Sequence, residues 1–263
     1  MRGVAALTHF PPGLLPLMAS FLDGQSVIFA GGYDSKGNVL ASAVCYSLHS
    51  RSWRTDVPLM STPRCGSASV AMQGRMLVFG GMKATGFMES CEAFDPLTNE
   101  WTALPPMSTR RSEACAVGWE GRAFVFGGEN GAHALSSAEC FDPTTNQWSA
   151  IAPMTTVRRG ASAVAVPGRG LIVMGGNAFN ALQSAELYDP ATDRWTMMTW
   201  QLPTPLFDFA AHCIDGVLHI IGGHPRSQSV STCWSMDLLS DVPVWSSLSP
   251  MPRSVRGMTS VTL

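Results

Sequence analysis

The hydrophobic positions of the chain recur in short runs, and each run is followed by a pair of glycines. Runs such as MLVF, AFVF, LIVM and LHII are apolar almost throughout, which favours short strands covered on both faces. The glycine pairs are Gly31–Gly32, Gly80–Gly81, Gly127–Gly128, Gly175–Gly176 and Gly222–Gly223. Their spacing of 47 to 49 residues indicates an internal repeat.

A tryptophan marks one further place in every repeat, 19 to 22 residues after the second glycine. These residues are Trp53, Trp101, Trp148, Trp195 and Trp245. In three repeats an (F/Y)DPxTxxW turn leads into the tryptophan, and its Asp and Pro are typical of tight turns. Each repeat divides into four short strands, a to d, with strand b ending at the glycines and strand d starting at the tryptophan. Four strands in about 50 residues predict one blade of a β-propeller.

The double glycine, the (F/Y)DPxTxxW turn and an MxxxR entry into strand a together resemble the kelch repeat family, over roughly residues 14 to 263. A WD40 propeller fits less well, because its period is about 40 to 45 residues and the chain contains no Trp-Asp pair. The resemblance implies an all-β, kelch-type propeller of four-stranded blades. Repeat five departs from the pattern, since MDLLSDVPVW replaces its DP turn.

We expect a single propeller domain over residues 1–263, with five full repeats and an extra C-terminal strand. The repeats lie at approximately 14–60, 61–107, 108–154, 155–202 and 203–251, and the closing strand at 255–263. The segment MPRSVRGMTSV aligns with MSTPRCGSASV of repeat two, so the chain ends inside a sixth strand a. The segment VAALTHFPP near the N-terminus resembles the end of a strand d. Two arrangements therefore remain open, a five-bladed ring and an incomplete six-bladed propeller.

The charge, the apolar runs and the cysteine pattern of the chain argue against several classes of function. A net charge of -2 provides no dense basic field for a phosphate backbone, so no nucleic acid is expected as a partner. No run approaches about 18 consecutive apolar residues, and prolines interrupt the apolar N-terminus, so neither a membrane span nor a signal peptide is expected. Seven cysteines without a CxxC pair indicate neither a disulfide framework nor a zinc site. A cytoplasmic location fits this cysteine pattern.

The alternation of strands places the d-to-a and b-to-c loops on one side of the propeller, which we call the loop face. The d-to-a loops carry Arg64, Arg111 and Arg158 at steps of 47 residues, with Arg110, Arg159, Arg253 and Arg256 close by. The b-to-c loops add candidates that differ in every repeat: Tyr33, Lys83, Phe87, Asn130, His133, Asn177, Phe179, His224 and Arg226. Regular strands with irregular loops are typical of a scaffold that presents a binding surface.

The recurring arginines have two interpretations that are not exclusive. In kelch substrate adaptors, arginines at this repeat position help to line a pocket for acidic peptides, and the resemblance implies that role for Arg64, Arg111 and Arg158. Acidic residues also recur at steps of 47, namely Glu92, Glu139 and Glu186. The arginines could therefore be structural partners in ion pairs between blades.

Little in the sequence indicates catalysis. His133 and His224 have no carboxylate or cysteine at metal-ligand spacing, so no metal is expected. Three tyrosines are too few for a copper site built on tyrosines and histidines, and neither a GxSxG motif nor a phosphate-binding loop is present. We expect no cofactor and no enzyme activity.

The sequence therefore predicts a protein-interaction module that binds a protein or an acidic peptide. One form of this function is the substrate-recognition part of a ubiquitin ligase adaptor. Such adaptors recruit the ligase scaffold through BTB and BACK or F-box segments, which would have to lie outside this chain. Two alternatives remain, a propeller enzyme resembling sugar-acid epimerases and a kelch propeller that binds actin or the cytoskeleton.

Overall fold

The structure, a computed structural model, describes residues 18–22, 26–225 and 228–254. All regular structure in these residues is β-sheet, and no helix among them is long and apolar enough to cross a membrane. The seven cysteines all lie in this part of the chain, where they are buried and form no disulfide. The predicted closing strand 255–263 lies outside the described residues.

The described strands form five four-stranded antiparallel blades. Blade 1 contains β1 (Met18–Leu22), β2 (Ser26–Ala30), β3 (Ala43–Ser47) and β4 (Ser52–Arg54). Blade 2 contains β5 (Ala68–Met72), β6 (Arg75–Phe79), β9 (Cys91–Asp95) and β10 (Glu100–Leu104), with the small hairpin β7 (Met82–Lys83) and β8 (Gly86–Phe87) between its middle strands.

Blades 3 to 5 repeat this order without the extra hairpin. Blade 3 contains β11 (Cys115–Trp119), β12 (Arg122–Phe126), β13 (Ala138–Asp142) and β14 (Gln147–Ile151). Blade 4 contains β15 (Ser162–Val166), β16 (Gly170–Met174), β17 (Ala185–Asp189) and β18 (Arg194–Met197). Blade 5 contains β19 (Ala210–Ile214), β20 (Val217–Ile221), β21 (Cys233–Asp237) and β22 (Trp245–Leu248).

The blades are arranged as a five-bladed β-propeller. The inner strands β1, β5, β11, β15 and β19 pack against one another in that order around the propeller axis. The predicted all-β propeller of four-stranded blades is thereby confirmed. The alternative with a sixth, incomplete blade depends on segments outside the described residues.

Strand β12 shows why the b strands are apolar at every position. Ala123 and Val125 belong to the hydrophobic core between blades 2 and 3, whereas Phe124 and Phe126 belong to the core between blades 3 and 4. Alternate side chains of a strand point to opposite faces of its sheet. Because each face of this blade packs on a neighbouring blade, both sets of side chains are buried and the sequence loses its period-two alternation.

The tryptophans of blades 2 to 5 each join their blade to the linker that leaves the preceding blade. Trp148 Nε1 donates a hydrogen bond of 2.8 Å to the carbonyl oxygen of Pro105. Its ring lies edge-on to Phe79 of blade 2 at 5.3 Å and packs on Phe141 of its own blade. Trp101, Trp195 and Trp245 donate to linker carbonyls in the same way. The recurrence of tryptophan thus follows from packing between blades.

Trp148→Ala should destabilise the propeller by about 3 kcal/mol, because it removes a packed indole ring and its hydrogen bond. For a domain of this size that loss corresponds to a fall of about 6 to 12 °C in melting temperature. Trp148→Phe keeps most of the ring contact and should cost about 1 kcal/mol for the lost hydrogen bond. Thermal denaturation followed by circular dichroism measures both, and an unchanged melting temperature for Trp148→Ala would contradict the packing role.

Candidate functional site

The glycine pairs hold consecutive blades together at the loop face. The amide of Gly81 donates a 2.7 Å hydrogen bond to the carbonyl of Arg111, which lies in the loop entering the next blade. A side chain on Gly80, whose φ is 60°, would collide with that same carbonyl. The amides of Gly32, Gly128 and Gly176 make the equivalent bond. The double glycine is therefore required by close backbone approach and does not itself contact a ligand.

Arg64, Arg111 and Arg158 do not lie on the surface of the loop face. Each is at most 1% exposed and forms an ion pair with the glutamate of its own repeat. The N–O distances are 2.6 Å for Arg64 and Glu92, 3.0 Å for Arg111 and Glu139, and 3.0 Å for Arg158 and Glu186. The expectation that these arginines line a ligand pocket is corrected, because a side chain without exposed surface cannot contact a docked partner.

The surroundings of Arg111 show what the ion pair does. Its guanidinium donates to the carbonyls of Gly127 and Ser137 at 2.9 and 2.8 Å and to the Ser137 hydroxyl at 2.9 Å. Glu139 in turn accepts a 2.7 Å hydrogen bond from the backbone amide of Ser108. Burial lowers the pKa of Arg111, and the charge of Glu139 opposes that shift. The pair fixes the d-to-a loop onto strand c of the blade that follows it.

Blade 5 replaces this ion pair with apolar residues. Leu206 stands where repeats two to four have arginine, and Trp234 of β21 stands where they have glutamate. Both contribute to one hydrophobic cluster. Pro203 occupies the place of Ser61, Ser108 and Thr155, whose amides donate to the glutamates. Because proline has no amide hydrogen, the missing carboxylate leaves no backbone amide unsatisfied at Pro203, whereas the buried indole nitrogen of Trp234 has no hydrogen-bond partner.

The other predicted site residues differ in how much surface they offer. Lys83, Arg110, His133 and Phe179 are exposed, and Phe179 is 96% exposed. Tyr33, Phe87, Asn130, Arg159 and Asn177 are half-buried, and His224 is buried. Arg226 and Arg256 lie outside the described residues. The structure therefore leaves one aromatic and several polar side chains of the loop face accessible, spread over blades 2, 3 and 4.

Four successive d-to-a loops are bonded to one another around the propeller axis. The amide of Glu113 donates to the carbonyl of Gly66, that of Gly160 to Glu113, and that of Asp208 to Gly160, at 2.7 to 2.8 Å. All four residues have positive φ, which is unfavourable for Glu113 and Asp208. A Cβ atom on Gly160 would lie 2.5 Å from Asp208 Oδ1, so this glycine makes room for the carboxylate. The acidic residues therefore alternate with glycines in this ring.

Glu113 and Asp208 belong to a charged group that the sequence did not reveal. Arg159 Nη1 lies 3.3 Å from Glu113 Oε2 and 3.3 Å from Glu129 Oε2. Burial and, second, the charge of Asp208 raise the pKa of Glu113 to about 7, although the charge of Arg159 opposes the shift. We call Glu113, Glu129, Arg159 and Asp208 the central cluster. The alternation of glycine and acid at one repeat position was the sequence signal that could have found it.

No metal centre accompanies this cluster. Among the described residues, no group of three or more histidine, cysteine, aspartate or glutamate side chains is arranged to hold a metal ion. Tyr33 lies nearby, and burial together with a hydrogen bond to Cys65 raises the pKa of its hydroxyl to about 12. The arrangement can therefore present fixed charges and hydrogen-bonding groups to a ligand.

Comparison with known proteins gives one family match that covers most of the chain. The family model of the KLHDC2/KLHL20/DRC7 Kelch-repeats domain matches residues 17–223. The chain is 41% identical over 59 residues to the F-box/kelch-repeat protein SKIP11 of Arabidopsis thaliana, and 30% identical over 71 residues to Kelch-like protein 41a of Danio rerio. These matches cover 22% and 27% of this chain and 12% of each relative.

Among solved structures, that of YjhT resembles this chain with a TM-score of 0.76 at 17% sequence identity. The likeness covers 88% of this chain and 83% of that chain. At this level of identity it shows a shared propeller fold.

Arg111→Leu should cost about 3 to 5 kcal/mol, because it leaves Glu139 as a buried charge without its partner. The double variant Arg111→Leu with Glu139→Leu should lose less stability than Arg111→Leu alone, since no unpaired charge remains. Chemical denaturation of the parent, both single variants and the double variant measures the coupling. Additive losses would show that the two side chains do not depend on each other.

Glu113 should make the stability of the propeller fall as pH rises from about 4.5 to about 7. The folded protein holds the Glu113 proton to a higher pH than the unfolded chain does, so folding is favoured on the acidic side of this window. Glu113→Gln removes the titration and should raise the melting temperature more at about pH 8 than at about pH 5. If the difference in melting temperature between Glu113→Gln and the parent stays constant with pH, the raised pKa of Glu113 is contradicted.

Proposed function

Because the chain belongs to the kelch-repeat family, we propose that it is a protein-binding propeller whose partner docks on the loop face. The observation that carries the proposal is the division of the molecule into a repeated and an unrepeated part. The strands, the glycine pairs, the tryptophans and the buried Arg–Glu pairs recur and are used in packing. The b-to-c loops are nearly equal in length but differ in residue type between blades, and this is the pattern of a scaffold with a variable binding surface.

The loop face has side chains of the kind that anchor protein interfaces. Phe179, in the loop between β16 and β17, is almost fully exposed. Lys83, Arg110 and His133 are exposed in other loops of the same face. Aromatic residues and arginine are enriched at interface hot spots, where a large ring becomes buried against the partner. Phe179 is the residue of this face with the most apolar surface available for burial.

The sequence-based proposal of an acidic peptide ligand now has fewer residues to support it. The three recurring arginines are occupied in buried ion pairs, and Arg159 is shared by two glutamates. Arg110 is 65% exposed but lies 3.7 Å from Glu89, which offsets part of its charge. A protein partner remains our proposal, with acidic contacts confined to the outer loops around Lys83 and Arg110.

A sugar-acid epimerase activity was an alternative because the same arginines would have formed a basic pocket. Their burial removes the feature on which that alternative rested. A role in a ubiquitin ligase is supported by the name of one relative, an F-box/kelch-repeat protein. In such a role the propeller would recognise the substrate, and contact with the ligase scaffold would be made by segments outside this chain. A cytoplasmic location fits this proposal and the seven buried thiols that form no disulfide.

Phe179→Ser should weaken partner binding at least tenfold, which is about 1.4 kcal/mol and within the range of an interface hot spot. Leu97→Ser is the matched control, because Leu97 is 93% exposed in a turn at the opposite face. Partners captured from lysate by the parent are first compared by quantitative mass spectrometry among the three proteins. The affinity of the retained partner is then measured with purified components.

The proposal fails if the parent retains no protein, or if Leu97→Ser abolishes retention while Phe179→Ser leaves it unchanged. Both substitutions replace an exposed apolar side chain with a small polar one, so neither should change the melting temperature of the propeller. Lys83→Glu and Arg110→Glu then test whether the outer loops contribute, since charge reversal at an interface edge chiefly slows association.

A further inference from the structure

Asn130 lies in the tight loop between β12 and β13, and its side chain is bound by the backbone that follows it. Its Oδ1 accepts hydrogen bonds from the amide of Ala132 at 3.0 Å and from the amide of His133 at 3.1 Å. Both lengths are usual for a bond from a backbone amide to an oxygen. A bridge between Glu129 and Ala134 closes the loop. The side chain of Asn130 is therefore held over the next peptide bonds of the chain.

The residue after Asn130 is glycine, which leaves the peptide nitrogen between the two residues open to its surroundings. Gly131 is exposed, and within the described part of the chain its amide donates no hydrogen bond. Its φ of 93° lies in the region that favours glycine. A Cβ atom on Gly131 would also lie 2.8 Å from Phe87 Cδ2 of the neighbouring hairpin. Conformation and packing therefore both require glycine after Asn130.

From this geometry we propose that Asn130 is a site of spontaneous deamidation in the folded protein. The amide nitrogen of Gly131 loses its proton and attacks Cγ of Asn130, and the new N–Cγ bond closes a succinimide ring. The side-chain nitrogen of Asn130 takes up a proton and leaves as ammonia. Water then opens the ring. Attack of water at Cγ gives aspartate, and attack at the main-chain carbonyl carbon gives isoaspartate, so the net reaction consumes water and releases ammonia.

The two amides that bind Oδ1 favour this reaction. When the nitrogen of Gly131 attacks, the side-chain carbonyl bond opens and negative charge develops on Oδ1. Backbone N–H groups that already point at this oxygen stabilise the charge, as the donors of an oxyanion hole do. The same bonds restrict the side chain of Asn130, so less conformational freedom is lost when the ring closes. Gly131, Ala132 and His133 are exposed, and water can therefore reach the ring.

The other asparagines of the chain lack this combination. Each is followed by a residue with a side chain, which shields the attacking nitrogen and slows closure of the ring. They are Asn38, Asn99, Asn146, Asn177 and Asn180. Asn177 is the matched comparison, because it lies in the b-to-c loop of the next blade and precedes only an alanine.

Deamidation changes the surface that a partner meets at the loop face. Aspartate replaces a neutral amide with a carboxylate, and isoaspartate also adds one carbon to the main chain inside the tight loop. This loop lies against Phe87 of the neighbouring hairpin and exposes His133. The inference goes beyond the proposed function, because the reaction needs water and no partner.

The test follows the folded propeller during incubation at neutral pH, with circular dichroism to confirm that it stays folded. Mass spectrometry then measures the conversion of amide to carboxylate in the tryptic peptide 123–158, which contains both Asn130 and Asn146. An unincubated sample corrects for conversion during digestion. We expect Asn130 to convert at least about tenfold faster than Asn146 and Asn177. Its rate should rise with pH, since the attacking nitrogen has to lose its proton.

A synthetic peptide of residues 127–135 measures the rate that this sequence gives without the fold. The folded protein should convert at least as fast as the peptide, because the turn activates the side chain of Asn130. Asn130→Gln should remove the conversion at this position, since the longer side chain closes a ring much more slowly. The inference is overturned if Asn130 stays unconverted, converts no faster than Asn146, or converts more slowly in the folded protein than in the peptide. None of these results bears on the proposed binding of a protein partner.

Discussion

A buried guanidinium must have partners for its hydrogen-bond donors, and this requirement organises the loop face of blades 2 to 4. Arg111 meets it by binding Glu139, the carbonyl of Gly127 and both oxygens of Ser137. These groups come from strand c and from both ends of the b-to-c loop. The guanidinium holds both ends of this loop against strand c, so the ion pair fixes the base from which the variable residues project. An isolated buried ion pair adds little stability on balance, but losing either member costs much.

Blade 5 shows that the ion pair can be replaced only as a set. Exchanging arginine for Leu206 alone would leave a buried carboxylate, and exchanging glutamate for Trp234 alone would leave a buried guanidinium. Pro203 completes the change because it removes the amide that the glutamate would have bound. Three separate positions of one repeat therefore vary together for a physical reason. Repeats two to four keep the polar set, because removing one member would leave the buried partners of that member unsatisfied.

The fold could be predicted because the residues that pack the blades recur at the same place in each sequence repeat. The candidate site could be predicted only in part. The burial of β12 on both faces is visible in the sequence as an uninterrupted apolar run. The hydrogen bonds from indole nitrogens to the linkers are visible as a tryptophan that recurs in every repeat. Arg64, Arg111 and Arg158 also recur, and recurrence in step with the fold is what a packing role produces. Glu113 and Asp208 were missed because the alternate repeats have glycine at their position. The exposure of Phe179 could not be predicted from the sequence. Its loop has no similar sequence in the other repeats, so no alignment between repeats indicates where the side chain points.

The burial of the recurring arginines changes the sign of the charge that a partner meets at the centre of the loop face. The sequence places Arg64, Arg111 and Arg158 in loops of this face, but their side chains are buried within the blades. Glu113 and Glu129 remain partly accessible at the propeller axis. Exposed cations such as Lys83 and Arg110 lie in the outer loops, where solvent screens them. Above about pH 7, where Glu113 is ionised, the face therefore combines a negative centre with a mixed edge. A partly buried charge discriminates between partners more strongly than an exposed one. A partner group of the wrong charge would lose its hydrating water there without gaining an opposite charge in return.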